Sequence, residues 1–207
     1  AEEYTKFTYV GKSYKHSDAR LKVTGQAKYT GDLKLPGMVF ARILRPPSHG
    51  AKLSSVDISG AEAIKGTQVV RDGDFIAVLN ENRDMADEAV VKIKAEYTFN
   101  ELKVNDKNLY DRMVGADSRA NVMRTNGDME AGSQLSDKIF ESEFHDPYLA
   151  HTSIETHTAL AKLEGDKMTV WAATQSPFGL QDGISRELGF PREKVRVITP
   201  FVGGGFG

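Results

Sequence analysis

The sequence contains no cysteine. Disulfides, thiolate metal sites, iron–sulfur ligation by this chain and a cysteine nucleophile are therefore excluded. No sign of charge dominates: 27 basic and 29 acidic residues leave a formal net charge of −2. There is no basic run either, so composition gives no support for the positive face that displaces counterions from nucleic acid. Long hydrophobic runs are missing. None approaches the ~20 residues needed to span a bilayer, and no apolar signal-like segment opens the chain. The first residue is Ala rather than Met, which points to a trimmed start and leaves a removed export signal open. Phe, Tyr and Trp are spread thinly, without the ladder on which single-stranded nucleic acid stacks. What remains is 207 residues, 40% hydrophobic and 27% charged. That is enough chain for one or two globular domains with a core of their own.

The patterning predicts an α+β chain. Ala1 to about Asp18 reads as polar surface, and Val23 to Asp32 as a short extended segment broken by glycines. Met38 to Leu44 reads as a buried strand between Pro36-Gly37 and Pro46-Pro47. Ser59 and Glu62 have capping-box spacing for a short helix that stops at Gly66. Thr67–Arg71 and Phe75–Leu79 flank Asp72-Gly73, a hairpin signal. From Arg83 to Tyr97 apolar residues recur at helical spacing, with Asn82 as a cap. Asn100 to Gln134 is polar and reads as a linker with one short helix starting at Asp128. Strand patterning resumes near Lys138, with Ile139, Phe140, Phe144 and Tyr148. Thr158–Leu163 and Lys167–Ala173 form a second hairpin around Glu164-Gly165-Asp166. Leu180, Ile184 and Leu188 mark a helix ended by Gly189, and Val195–Thr199 is a strand that runs into Gly203-Gly204-Gly205-Phe206-Gly207.

Three groups of residues could carry chemistry. Consecutive glycines let the backbone approach a ligand and turn successive N–H groups toward an anion. The same five residues could equally be a surface turn or tail. They are neither a P-loop nor a dinucleotide fingerprint, because Lys-Ser/Thr and a following helix are both missing. Gln175, at the end of a strand, can donate to an oxygen ligand without changing charge. The alternative is that Thr174-Gln175-Ser176 merely caps the next helix. His145, His151, Glu155 and His157 invite a metal reading, but their spacing is not that of a helical His-Glu-x-x-His site. The favoured expectation is that they hydrogen-bond in a packed interior turn, leaving this chain without a metal ligand set.

In order and spacing, these segments resemble the large subunit of the molybdenum hydroxylases, the xanthine dehydrogenase and aldehyde oxidase family. The resemblance is carried by Asp18–Asp32, Leu35–Arg45 with Pro47-Ser48-His49-Gly50, and Val69–Tyr97. It continues through Tyr148–Glu155, Trp171–Pro177 and Gly203–Gly207, and covers nearly the whole chain. It is nearest in look to bacterial members. The resemblance implies an N-terminal extension at 1–16, a hammerhead-type α/β domain at 17–115, a linker at 116–136, and the first part of a molybdenum-cofactor-binding α+β domain at 137–207.

The resemblance implies a molybdenum–molybdopterin cofactor, expected in its cytosine dinucleotide form. Gln175 would lie beside the metal and its oxo ligand, and Gly204, Gly205, Phe206 and Gly207 would present backbone to it. The implied reaction oxidises an aldehyde, purine or aromatic N-heterocycle, taking oxygen from water. Electrons would leave through iron–sulfur clusters, with FAD as a further carrier, on partner subunits. In the family the catalytic glutamate lies farther downstream, so no catalytic base is assigned, and Glu155 and Glu164 are not promoted to that role. The expected partners are a small-molecule substrate, an iron–sulfur subunit and the C-terminal remainder of the large subunit, or a separate chain carrying it. The 207 residues alone are expected to be inactive. A cytoplasmic location is implied, with a periplasmic one left open. The rival reading is a non-catalytic, subunit-docking or truncated paralogue module.

Overall fold

The computed structural model describes residues 3–99, 103–115 and 123–206. In chain order the elements begin with α1 (Ala19–Val23), β1 (Phe40–Ile43), β2 (Lys52–Asp57), α2 (Ser59–Glu62), β3 (Gln68–Asp72), β4 (Phe75–Asn80) and α3 (Arg83–Lys92). They continue with β5 (Lys94–Thr98), α4 (Leu109–Gly115), α5 (Met129–Gln134), β6 (Ala159–Glu164), β7 (Lys167–Ala172), α6 (Pro177–Leu188) and β8 (Val195–Ile198). The chain divides into two compact units. One is Gly37–Tyr148; the other joins Ala1–Pro36 to Leu149–Gly207.

In the Gly37–Tyr148 unit, β4 is the central strand of an antiparallel sheet ordered β1-β4-β3. Ile76, Ala77 and Val78 are buried in succession, so both faces of β4 are covered, which is why Ile-Ala-Val-Leu runs without polar alternation. Ile76 and Val78 are fully buried and meet Ala61, Ala89 and Ile93 in one core cluster. Helix α3 lies against β1 and β4. Its buried residues, Ala86 and Ala89, are small, which lets the helix backbone come close to the sheet. The start of α3 is fixed by Asn82, whose side-chain oxygen accepts from the amides of Asp84 (2.8 Å) and Met85 (3.2 Å). Asn80, buried at the end of β4, donates to the Lys65 carbonyl and accepts from the Asn82 amide. The β3–β4 hairpin pairs Asp72 with Phe75 across a turn in which Gly73 has φ +57°.

An exposed ion pair joins Arg42 on β1 to Asp87 on α3. The Arg42 guanidinium beside Asp87 holds its carboxyl below the usual aspartate range. A folded-state value lower than the unfolded one adds stability above the ordinary aspartate pKa of ~3.9 and loses it as pH falls through the depressed value. Melting temperature is therefore expected to drop on acidification, and Asp87→Asn should flatten part of that drop. Thermal melts of both proteins between neutral pH and about pH 2.5 would show it; superimposable profiles would refute it.

In the second unit, β6 and β7 form an antiparallel hairpin, and β8 adds to β7 in parallel. The connection from β7 to β8 runs through α6, which packs on β8. Proline in the first turn of α6 tolerates the lost N–H, and Gly189 closes the helix in the left-handed conformation at φ 67°. Val170, Ala172 and Val195 are buried in this sheet.

Several expectations are corrected. The helix forecast to Tyr97 ends at Lys92, because Lys94–Thr98 leaves it to pair with β2, a strand the patterning did not reveal. The Ser59 capping box does not form; Asp57 Oδ1 accepts from the Ser59 amide instead. β1 alternates between half-buried and exposed rather than being wholly buried. Val23–Asp32 is not one extended piece: α1 ends in it, Gly25 turns at φ +69°, and Thr30–Asp32 forms a 3-10 turn. The 100–134 stretch holds α4 as well as the expected helix capped by Asp128. No strand forms between Lys138 and Tyr148, where Ile139, Phe140, Phe144 and Tyr148 are all exposed. Among the described residues this segment has no neighbouring strand, and a β-prone sequence without a ladder partner leaves its backbone groups to water.

Candidate functional site

The topology gathers three loops at one edge of the β6-β7-β8 sheet. Strand β6 enters from the His151–Thr158 segment, β7 exits into Ala173–Ser176, and β8 exits into Thr199–Phe206. Because β7 and β8 are parallel, both of their carboxyl ends lie at this edge, the usual ligand edge of such sheets. A pocket of about 280 Å³ opens there, lined by His151, His157, Thr174, Gln175, Gly204 and Gly205 among others.

The glycine loop is held from both sides. Glu155 Oε2 accepts the Gly203 amide at 2.6 Å, and the Glu155 amide donates to the Gly203 carbonyl at 3.4 Å. A methyl group on Gly203 would lie 2.5 Å from Glu155 Cβ. At Gly204, with φ +131°, it would lie 3.0 Å from Ser153 Cβ, and at Gly205 it would collide with the Gln175 side chain. Just upstream, the Phe201 amide donates to the Lys28 carbonyl and the Phe201 ring packs on Tyr29, with Lys22 Nζ 5.7 Å from its centroid. The N-terminal segment thus anchors the point where β8 becomes the loop. Among the described residues, two non-glycine residues have positive φ, Thr152 (+42°) and Phe206 (+70°). Such conformations cost about 1–3 kcal/mol and persist where surroundings over-determine them. Both lie on the segments that form this edge.

Of the residues singled out from sequence, Gln175, Gly204 and Gly205 converge on the pocket. The capping alternative is not realised: no side chain caps α6, Thr174 Oγ1 accepts the amide of Ser176, which precedes the helix, at 3.1 Å, and Gln175 is exposed. Phe206 has an exposed ring, and Gly207 lies outside the described residues. The histidine group does not form a packed turn. His145 stacks on Tyr110 and bonds Glu143, while His151 and His157 are exposed at the pocket. Among the described residues, no three His, Asp or Glu side chains are placed to hold a metal ion. Glu155 and Ser153 were not identified as loop contacts. Glu155 is 48 positions from Gly203, and nothing local signals the pairing.

A ligand with an oxygen-rich, electron-rich head fits this edge. Gln175 offers a neutral amide, and the amides of Gly204 and Gly205 make no hydrogen bond among the described residues. The space a Cβ would take at Gly203–Gly205 is already filled by Glu155, Ser153 and Gln175, so only glycine lets the loop pack this closely and keep its free amides at the pocket. Ser153 Oγ and Glu155 Oε1 are buried next to the loop without a partner. The residues therefore fit a bound cofactor.

The segment that carries these loops matches a known family. Residues 114–207 match the molybdopterin cofactor-binding domain. The chain is 32% identical over 227 residues to a protein of Bacillus subtilis named as a probable xanthine dehydrogenase subunit, covering 92% of this chain and 30% of that protein. It is 28% identical to the nicotinate dehydrogenase large molybdopterin subunit of Eubacterium barkeri, covering 96% and 55%. In fold it is similar to quinoline 2-oxidoreductase from Pseudomonas putida 86, with TM-score 0.70, 21% identity, and 95% of this chain and 31% of that one covered. Aldehyde oxidoreductase from Desulfovibrio gigas gives TM-score 0.74 at 17% identity, covering 95% and 27%. The fold is mixed α/β, like that of these molybdenum-hydroxylase large subunits, and residues 114–207 carry the molybdopterin cofactor-binding domain match. Residues 114–207 belong to the molybdopterin cofactor-binding domain family, and the chain as a whole is similar to part of the molybdenum hydroxylase large subunits.

Proposed function

We propose that these residues form one wall of the molybdenum–molybdopterin site of a hydroxylase or dehydrogenase acting on an aldehyde, a purine or an aromatic N-heterocycle. The observation that carries the reading is the contact of Gln175 with Gly205 at the mouth of the pocket. When bound, the cofactor supplies the redox-active metal through which substrate is oxidised with oxygen from water. The chain's own residues bind and orient. Gln175 would donate an amide hydrogen to an oxygen-rich group held there, a donor whose charge does not vary with pH. Gly204, Gly205 and Phe206 would lay backbone against the cofactor, as would Gly207, which lies outside the described residues. The pocket sits at the low end of the ~300–1,000 Å³ range of small-molecule sites, so it suits one end of a dinucleotide-sized group. We take the cytosine dinucleotide as that group's form.

The chain spans 30% and 55% of the two relatives named above. The remaining walls of the site, the catalytic base and the substrate pocket are accordingly assigned to the rest of the subunit. Iron–sulfur clusters and FAD are assigned to partners. Residues 17–115 are read as a hammerhead-type domain and 137–207 as the start of the cofactor domain, with the 116–136 linker between them; the family match beginning at 114 supports this division. No helix among the described residues is long and apolar enough to cross a membrane. The cytoplasmic location proposed for the protein, with a periplasmic one left open, rests on the family resemblance alone.

In the complete subunit, Gln175→Ala is expected to lower kcat by about 10²-fold, the usual effect of removing one preorganised donor to a developing negative charge, with molybdenum content retained. The check is kcat per bound molybdenum. The exposed Ile139, Phe140 and Phe144 favour a second reading, a docking module without a catalytic share. Unchanged kcat in Gln175→Ala would sink the first reading and leave the second.

A further inference from the structure

The geometry points to Glu155 as the positioning residue that sets the shape of the cofactor-binding loop, a role that rests on the function proposed above. One residue grips one glycine at two points. Its carboxylate takes the Gly203 amide at 2.6 Å and its own amide reaches the Gly203 carbonyl at 3.4 Å. The first is a charge-assisted hydrogen bond, shorter and about twice as strong as a neutral one. The two backbones are in such close contact that a methyl on Gly203 would meet Glu155 Cβ at 2.5 Å and the Glu155 amide at 3.3 Å. Gly203 is thus the point at which the glycine loop beyond β8 is tied down, and Glu155 is what fixes its course there. On either side the geometry is propagated. Thr152, three residues before Glu155, is held at positive φ, and Ser153 packs under Gly204.

The carboxylate does not reach the reacting atoms in this arrangement. One oxygen is committed to Gly203, and the other is buried without a partner among the described residues. Glu155 therefore acts through the loop: it orders Gly204 and Gly205 before any ligand arrives, so that binding does not have to order them. Loss of the clamp should weaken cofactor retention far more than it weakens the fold, because the rest of the β6-β7-β8 sheet does not depend on it.

The test uses the complete subunit with its cofactor, in Glu155→Gln, Glu155→Asp and Glu155→Ala variants. Three quantities are read: pterin and molybdenum per subunit, thermal melting, and hydrogen exchange of the peptide spanning Phe201–Phe206. Gln keeps an acceptor at the same reach, so Glu155→Gln should retain most of the pterin and exchange within about threefold of wild type. Asp draws the carboxylate back by one methylene, and Ala removes it. Both should speed loop exchange at least tenfold and lose most of the pterin. Equal retention in the Gln and Asp variants overturns the inference, as does a Glu155→Ala protein with wild-type pterin and exchange. If Glu155→Ala does not fold, the Gln and Asp pair decides alone. A wild-type subunit without pterin would instead refute the function proposed above, and loop exchange would still report on the clamp.

Discussion

Replacing Ile76 with alanine is expected to remove about 2–5 kcal/mol of stability from the Gly37–Tyr148 unit. Ile76 has no exposed surface and is one of the two largest fully buried side chains among the described residues. It sits mid-strand in β4, flanked by β1 and β3, and meets Ala61, Val78, Ala89 and Ile93 in the core. Its neighbours in that cluster are small or already committed: Ala61 and Ala89 end at Cβ and cannot reach into the vacated space. The cavity should therefore stay open, which places the loss in the upper part of the range. For a unit of this size the midpoint should fall by roughly 10–20 °C. Val91→Ala, on the exposed side of α3 at 76% exposure, is the matched control and should stay within about 0.5 kcal/mol. Chemical denaturation of both variants settles the matter; a loss below about 1 kcal/mol in Ile76→Ala would show that β4 is not the core strand.

Elements legible in the sequence were those with local causes. Gly73 and Gly165 both have positive φ in two-strand turns, and each hairpin was visible from its turn residues. Asn82 and Asp128 cap helices by bonds to amides two and three positions on, and Gly189 ends α6. Illegible elements depended on distant partners. β2 and β5 pair Lys52 with Thr98, so neither announces itself, and the helical periodicity before Lys92 carried over into residues that instead join that ladder. Conversely, Ile139, Phe140 and Phe144 have strand composition with no strand beside them among the described residues. The site divides the same way. Gln175 and the glycines were readable as a motif, whereas Glu155, Ser153, Tyr29 and Phe201 became visible as loop supports only when the fold brought distant segments to one sheet edge.

Gly203→Ala and Gly205→Ala should part company although they are two residues apart. Neither glycine has positive φ, so available space rather than backbone conformation decides both outcomes. The methyl at position 203 would press on Glu155 Cβ and amide, atoms fixed to the backbone. The loop must then move, breaking the Gly203–Glu155 hydrogen bond, at a typical overpacking cost of about 1–3 kcal/mol. Gly203→Ala is expected to lower both melting temperature and molybdenum content of the complete subunit. The methyl at position 205 would collide with the amide and Cγ of Gln175. That is the flexible end of an exposed side chain, which can swing away at little loss of stability. Gly205→Ala should therefore melt within about 0.5 kcal/mol of wild type and keep its molybdenum. Yet it should lose about 10²-fold in kcat, as Gln175→Ala does, because the amide no longer faces the pocket. The double variant Gly205→Ala with Gln175→Ala should be no worse than either single one, since both remove the same contact. Additive losses in that cycle would mean that the methyl also disturbs the loop backbone, and does not act only through the position of Gln175.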